Sequence, residues 1–182
     1  MVEFVVTLGL GGILLTVIAA LTLYSGRSMA AMVNYVDLNQ RSRMALDLMT
    51  RDIRQASRVL SFAETSEQIS LQLQEVVITA TNSQTFVTSY IYYKPNFSIP
   101  EQRKTVVRTR TGEPSKLLLT DCETLEFTMY KRTQEATTDP TRCKMVQVNW
   151  VCARKVLGAL SNTESIQTAK IVIRKQTGTL IL

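Results

Sequence analysis

The chain has 182 residues, of which 45% are hydrophobic and 20% charged, and its formal net charge is +6. This length allows one ordinary domain plus a membrane anchor. There is no histidine, the commonest general base and metal ligand, and the three cysteines lack the CxxC spacing of zinc sites. The sequence therefore predicts no enzyme, cofactor or metal site, and its thinly spread positive charge forms no basic patch for nucleic acid.

The first element is an uncharged apolar run from Phe4 to Tyr24, which directly follows Glu3. About 20 such residues are needed for a helix to cross a bilayer, and the run lacks the polar face of a buried core helix. A cleaved signal peptide would begin with basic residues, yet no Lys or Arg precedes Arg27. We therefore predict a transmembrane helix over residues 1–24. Small residues inside it allow close helix packing, and these are Gly9, Gly11 and Gly12.

The helical pattern continues from residue 25 to residue 62, with Gly26 as its one glycine and no proline. Apolar residues recur at helical spacing, which predicts one apolar face; they are Met29, Val33, Val36, Met44, Leu48, Ile53, Ala56 and Val59 or Leu60. A single helix from Phe4 to Phe62 would be about 90 Å long. A small head cannot bury such a helix, so its first half must lie in a membrane or against other copies.

Residues 63–182 are predicted to form a β-rich head, which gives an α+β fold with antiparallel strands between short loops. Strands are predicted at Ser66–Gln74, Val76–Ala80, Thr85–Tyr93, Thr105–Arg110, Leu125–Tyr130, Met145–Ala153 and Ile166–Lys175. The arginines of the fourth segment are expected to point outward. The run from Leu117 to Leu119 is expected to form a helical turn, and Trp150 to lie in the core.

Two clusters in the head resemble binding sites but have a simpler explanation. Tyrosines beside Lys94 offer rings for stacking nucleic-acid bases, although the same pattern is that of an ordinary strand; they are Tyr90, Tyr92 and Tyr93. Asp121 and Glu123 would share a strand face while Glu126 points the opposite way. We therefore expect neither nucleic-acid binding nor a metal site.

The three cysteines allow one disulfide, with three pairings open, and a bridge is favoured outside the cytoplasm. Cys122 and Cys143 flank one loop and alternate with polar neighbours. Cys152 alternates with apolar residues, which is typical of a buried thiol. We therefore expect Cys122 to pair with Cys143.

Two segments carry a resemblance to a known family. The start, MVEFVVTLGLGGILLTVIAALTLYSGR, resembles the N-terminal segment of type IV pilins and type II secretion pseudopilins. The stretch RSRMALDLMTRDIRQASRVLSF is similar to the second half of that helix in the W-type minor pilins and J-type minor pseudopilins. The head resembles this subgroup only in outline, through a strand-rich region with the segment Leu117 to Tyr130.

The resemblance implies a non-enzymatic minor pilin or pseudopilin of a type II secretion pseudopilus or type IV pilus. Its head would lie in the periplasm or another extracytoplasmic space, on a single-pass inner-membrane helix that packs with partner helices in a filament. The implied partners are other pilins or pseudopilins, an inner-membrane assembly platform, a separate ATPase and, if a leader precedes Met1, a prepilin peptidase. A carboxylate at the edge of an apolar span also suggests a partner. In this family Glu3 would pair with the free amino group of a neighbouring subunit.

The sequence departs from the family pattern in several ways. The glutamate is residue 3 instead of residue 5 of the mature chain, and no leader precedes it. We expect two mature residues and a leader upstream of Met1 or an internally assigned start, and a leaderless form is a further alternative. A kinking proline is absent, which predicts a straighter helix. The positive-inside rule applied to Arg27, Arg41 and Arg43 would place the head in the cytoplasm, against the resemblance, which we follow.

A second function from a different class remains open. A single-pass, membrane-anchored extracytoplasmic protein would show the same apolar helix, and its head would capture a ligand or DNA without polymerising. Neighbouring genes that encode several similar short-start helices would favour the assembling subunit over the binding protein.

Overall fold

The computed structural model describes residues 2–79, 82–155 and 162–174. In this part of the chain, one long helix, α1 (Val2–Gln55), is followed by eight strands. The strands are β1 (Arg58–Glu64), β2 (Gln68–Thr79), β3 (Asn82–Tyr93), β4 (Thr105–Arg110), β5 (Glu113–Leu119), β6 (Cys122–Tyr130), β7 (Met145–Lys155) and β8 (Asn162–Val172). Short 3-10 turns lie at Pro100–Gln102 and Pro140–Arg142. The predicted α+β class, with one long N-terminal helix and antiparallel strands, is confirmed.

Helix α1 is shorter than predicted, because it ends at Gln55 instead of Phe62. Its 54 residues span about 80 Å at 1.5 Å per residue. From Arg58 the chain forms β1, which pairs antiparallel with β2 and places Phe62 opposite Leu71. The backbone of these residues thus finds hydrogen-bond partners on a neighbouring strand, which overrides their helical spacing.

The strands form two antiparallel sheets, one of five strands in the order β1-β2-β3-β4-β5 and one of three in the order β6-β7-β8. The predicted strand over Val76–Ala80 is the second half of β2 as far as Thr79, and Ala80 lies outside the described residues. The predicted helical turn at Leu117–Leu119 is wrong. These residues belong to β5, where Leu117 pairs with Val107, because β4 offers them a ladder.

The core lies where the C-terminal half of α1 packs against both sheets, with contacts to β2, β5, β7 and β8. The predicted inward faces of β2 and β7 are buried; they comprise Ile69, Leu71, Leu73, Val146, Val148, Trp150 and Cys152. The Tyr92 hydroxyl joins the sheets by donating to the carbonyl oxygens of Cys122, at 3.1 Å, and Glu123, at 2.7 Å. A single core therefore holds the helix and the two sheets together.

A buried ionic network fastens α1 to β3 and β4, and it overturns the expectation that the arginines of β4 point outward. The Arg108 side chain is only 4% exposed, and its Nε donates to Asp52 Oδ2 at 2.7 Å. The Tyr90 hydroxyl donates to the same oxygen at 2.6 Å, and burial raises the pKa of Tyr90. Arg108 Nη1 also donates to Glu113 Oε2 at 2.9 Å. Arg108 shares its strand face with Val106, which is why it points into the core.

Candidate assembly surface

The N-terminal half of α1 has no cover from the rest of the chain. Side chains from Val2 to Met29 are exposed, apart from the half-buried Gly11. An 18-residue window of the helix has a mean hydropathy of 2.5, and none of that window is buried in the structure. By length and composition the helix can cross a membrane. In water such a surface would be far larger than the apolar patches of soluble monomers.

The threonines of the apolar run use their hydroxyls inside the helix itself. Thr7 Oγ1 donates to the carbonyl oxygen of Glu3 at 3.0 Å, Thr16 Oγ1 to that of Ile13 at 2.7 Å, and Thr22 Oγ1 to that of Ile18 at 2.8 Å. Hydrocarbon offers no water partners, so polar groups at this depth must be satisfied by the protein. These bonds leave none of the three hydroxyls without a partner at membrane depth.

Within the described residues, neither the Glu3 side chain nor the three glycines of the run make a contact that the fold requires. A Cβ added at Gly9, Gly11 or Gly12 would meet no atom within 4 Å. Glu3 lies in the first helical turn, where the helix dipole favours a carboxylate. Among the described residues, none donates a hydrogen bond or forms an ion pair with its side chain. Any role for these residues therefore involves a neighbouring molecule.

A second apolar surface, which we call the exposed stripe, lies on α1 beyond the apolar run. It consists of Met29, Val33, Val36 and Met44, which are 71%, 66%, 53% and 61% exposed. These residues belong to the apolar face predicted from helical spacing. From Met29 to Met44 the stripe extends about 22 Å along the helix. It continues the apolar surface of the N-terminal half toward the head, with the polar Gln40 between Val36 and Met44 and with Arg43 and Asp47 beside Met44.

The exposed stripe lies on the side of α1 opposite the head. Nine residues make two and a half helical turns, so positions nine apart lie on opposite sides. Each stripe residue precedes a buried helix residue by nine positions; the pairs are Met29 and Leu38, Val33 and Ser42, Val36 and Ala45, and Met44 and Ile53. The sequence-based assignment of Ile53 to the same face as Met44 is therefore wrong. The head covers the other side of the helix.

A groove between α1 and β5 extends the apolar surface onto the head. It has a volume of about 630 Å³ and is lined by Met44, Ala45, Leu48, Leu117 and Leu118, with Arg41, Asp47, Arg51 and Lys116 at its rim. Strand β5 is an edge of its sheet, so one row of its backbone groups has no strand partner. Met44 belongs to both the exposed stripe and the groove. The two surfaces are therefore continuous.

Ion pairs fix the angle at which α1 leaves the head. Arg154 Nη1 donates to Asp37 Oδ2 at 3.0 Å, and its Nη2 donates to Asp121 Oδ2 at 2.8 Å. Arg41 Nε donates to Asp37 Oδ1 at 2.9 Å. The hydrogen bond from Arg154, followed by that from Arg41, lowers the pKa of Asp37. The helix is thus held by charge where it emerges from the core.

The two clusters in the head that resemble binding sites make contacts within the fold. Tyr90 and Tyr92 are buried, so their rings are not open to nucleic-acid bases. Asp121 pairs with Arg154, and Glu123 accepts a hydrogen bond from Lys104 Nζ at 2.7 Å. In residues 2–79, 82–155 and 162–174, no group of three His, Cys, Asp or Glu side chains is placed to hold a metal.

The expected bridge between Cys122 and Cys143 is wrong. All three cysteines are buried free thiols in this structure. Cys122 begins β6, whereas Cys143 lies beyond its other end, just before the Tyr130–Met145 pair. Eight residues of strand separate the two ends by about 25 Å, and a disulfide needs Cα atoms within about 7 Å. A bulge between Cys122 and Thr124 also turns Cys122 to the core face, which simple alternation misses.

No family model matches the sequence, and no curated protein matches it. The function is therefore argued from the surfaces described above. The structure places Glu3, the three glycines and the exposed stripe along one helix, and it places the cysteines apart from them in the head.

Proposed function

We propose that this chain is a minor pilin or pseudopilin, a structural subunit that assembles through α1. The observation that carries the proposal is the exposed stripe, an apolar surface outside the predicted membrane span and opposite the head. An anchor alone has no need of such a surface, whereas a helix that packs against other helices does. The resemblance in MVEFVVTLGLGGILLTVIAALTLYSGR and RSRMALDLMTRDIRQASRVLSF supports the same assignment.

In this proposal the two halves of α1 have successive roles. The N-terminal half holds the subunit in the inner membrane, with the head in the periplasm or another extracytoplasmic space. Partner helices pack on the exposed stripe and at Gly9, Gly11 and Gly12, where the lack of side chains permits close approach. Filament growth is driven by a separate ATPase through the membrane assembly platform. The subunit itself performs no chemistry.

Glu3 would set the axial register of the subunit in this assembly. Its carboxylate lies at the end of the apolar run and has no partner among the described residues of its own chain. A neighbouring amino terminus would neutralise it in a low-dielectric layer, where opposite charges attract strongly. Pairing at one fixed position would select one offset between adjacent helices.

The experiment that tests assembly compares Val36→Glu with Tyr35→Glu. Val36 lies in the exposed stripe, whereas Tyr35, which is 50% exposed, points about 100° away from it. Both variants should fold, because neither side chain is in the core. A charge facing a partner helix should reduce co-purification of pilin-like subunits from native membranes by roughly tenfold or more, equivalent to about 1.4 kcal/mol. The Tyr35 variant should co-purify partners like the unmodified chain.

Equal co-purification by the two variants would contradict assembly through the exposed stripe. It would favour the alternative, a membrane-anchored binding protein that does not polymerise. The observation that favours this alternative is the groove between α1 and β5. In that case Leu117→Glu, in the groove wall, should abolish ligand capture while Val36→Glu leaves it unchanged.

A further inference from the structure

Cys122 and Cys152 face each other across the β6–β7 ladder. They are register partners in these two antiparallel strands. Directly opposed residues in such a ladder have Cα atoms about 4.5 to 5.5 Å apart, which lies within the range of disulfides. Both side chains are in the core, at 0% and 1% exposure. A disulfide between Cys122 and Cys152 therefore requires no large movement of the backbone.

The surroundings of the two thiols show direct contact between them. A hydrogen bond from Cys122 lowers the pKa of Cys152, and the same bond raises the pKa of Cys122. The buried Ser42 hydroxyl of α1 lies beside Cys152 and makes no hydrogen bond within the described residues. Cys122 Sγ is also 3.2 Å from the carbonyl oxygen of Thr124. The two thiols are therefore immediate neighbours in the folded head.

We propose that Cys122 and Cys152 form a disulfide when the chain folds under oxidising conditions, and that Cys143 remains a thiol. The pairing follows from the strand register. Its occurrence in the cell rests on the proposed extracytoplasmic position of the head.

The bond forms by two thiol–disulfide exchanges with a small disulfide oxidant such as oxidised glutathione. The Cys152 thiolate attacks one sulfur of the oxidant, forms a mixed disulfide and releases one reduced thiol. The Cys122 thiolate then attacks the Cys152 sulfur and releases the second reduced thiol. Two electrons pass to the oxidant, and the two protons lost by the cysteines end on the released thiols.

Burial determines when this reaction takes place. Ser42 of α1 and the core side chains cover both sulfurs in the folded head, so an oxidant has no access to them. The exchange must therefore precede the docking of α1 on the sheets. The resulting cross-link lies beside the Arg154–Asp37 ion pair, where the helix leaves the head.

The test uses the full chain in detergent micelles. The protein is unfolded and reduced, refolded in a glutathione redox buffer, alkylated with N-ethylmaleimide in denaturant, and digested without reduction for mass spectrometry. We expect one alkylated cysteine, Cys143, and a cross-linked peptide pair containing Cys122 and Cys152. Three alkylated cysteines, or a bridge that contains Cys143, would overturn the proposal.

Three variants show whether a missing bridge reflects pairing or misfolding. Cys143→Ser should keep the bridge, whereas Cys122→Ser and Cys152→Ser should lose it while keeping the circular dichroism of the reduced parent chain. The same alkylation on protein taken directly from cells separates the two proposals. If the bridge forms on refolding but the cellular protein has three thiols, the pairing stands and the extracytoplasmic position of the head is wrong.

Discussion

Arg108 lies in the core because two carboxylates meet its guanidinium there. Asp52 comes from α1 and Glu113 from β5, so three elements depend on one side chain. Burial lowers the pKa of Arg108, but hydrogen bonds to Glu113 and Asp52 outweigh this effect, and the net shift is upward. The arginine therefore remains charged, and its loss would leave the buried Asp52 with only the Tyr90 hydroxyl and the largely exposed Arg51, whose Nε lies 3.7 Å from Asp52 Oδ1.

We expect Arg108→Met to lower the free energy of unfolding by about 3–5 kcal/mol, the usual cost of removing one partner of a buried ion pair. Urea unfolding of the detergent-solubilised chain, followed by tryptophan fluorescence, measures the change. Arg142→Met is the matched control, because Arg142 is 71% exposed and should change stability by less than about 1 kcal/mol. The double variant Arg108→Met/Asp52→Leu should lose less unfolding free energy than the sum of the losses in the two single variants. Additive losses would show that the two charges are not coupled.

Asp37 makes the folding stability of the head depend on pH in the acidic range. Folding lowers its pKa, so the folded protein binds fewer protons there than the unfolded chain. The stabilisation is complete at neutral pH and is lost as the pH falls below about 4. Because the side chain is 35% exposed, we expect Asp37→Asn to cost at most about 1 kcal/mol at pH 7. Urea titrations at pH 7 and pH 3 should show a larger difference between variant and parent at the higher pH.

At the scale of elements, α1 divides into a half that the head covers and a half that it does not. The first fully buried helix residue is Leu38, and every residue from Val2 to Met29 other than Gly11 is exposed. The fold of the head therefore depends on the C-terminal half alone. The N-terminal half contributes an apolar surface whose partner is lipid or another helix.

Removal of residues 1–24 should leave the head folded. A chain that begins at Ser25 loses the apolar run but retains the exposed stripe and every core residue of α1. We expect it to stay in solution without detergent and to show strand-rich circular dichroism with a helical component. Its urea midpoint should match that of the full chain in micelles. Aggregation as severe as that of the full chain in water would contradict the division into two halves.

At the scale of the whole molecule, the helix presents three features that the chain itself does not use. These are Glu3, the glycines of the apolar run and the exposed stripe, and they lie along one element. Apart from the helix dipole at Glu3, the described residues gain no stabilising contact from any of them. Contacts between molecules would use all three, which is why we propose a function in assembly.

Glu3→Ala tests the part of this assembly that depends on charge. Membrane insertion should stay intact or improve, because a carboxylate costs a few kcal/mol at depth in lipid. Cross-linking to partner pilin-like subunits should weaken at equal protein level, because the register-setting pair is gone. Glu126→Ala is a suitable control, since it removes one exposed carboxylate from strand β6 of the head, away from α1. Unchanged cross-linking in the Glu3 variant would assign Glu3 no role in assembly.

The sequence by itself determined what depends on local pattern. The apolar run follows from an uninterrupted stretch of uncharged residues, and the second half of the helix follows from apolar residues every three to four positions. The strands at Ile69 to Leu73 and Val146 to Cys152 follow from the alternation of apolar and polar residues. The residues of the exposed stripe could be identified from their helical spacing. The side of the helix that faces the head could not be predicted, because it depends on where the sheets pack.

Tertiary structure decided the features that join distant segments. The helix stops at Gln55 because β2 gives the following residues strand partners. Arg108 points inward because Asp52, 56 residues away in sequence, neutralises it. Cys122 faces Cys152 because a bulge reverses its alternation and the register of β6 and β7 aligns the pair. In each case the deciding energy comes from a partner that is remote in sequence, and local spacing carries no information about it.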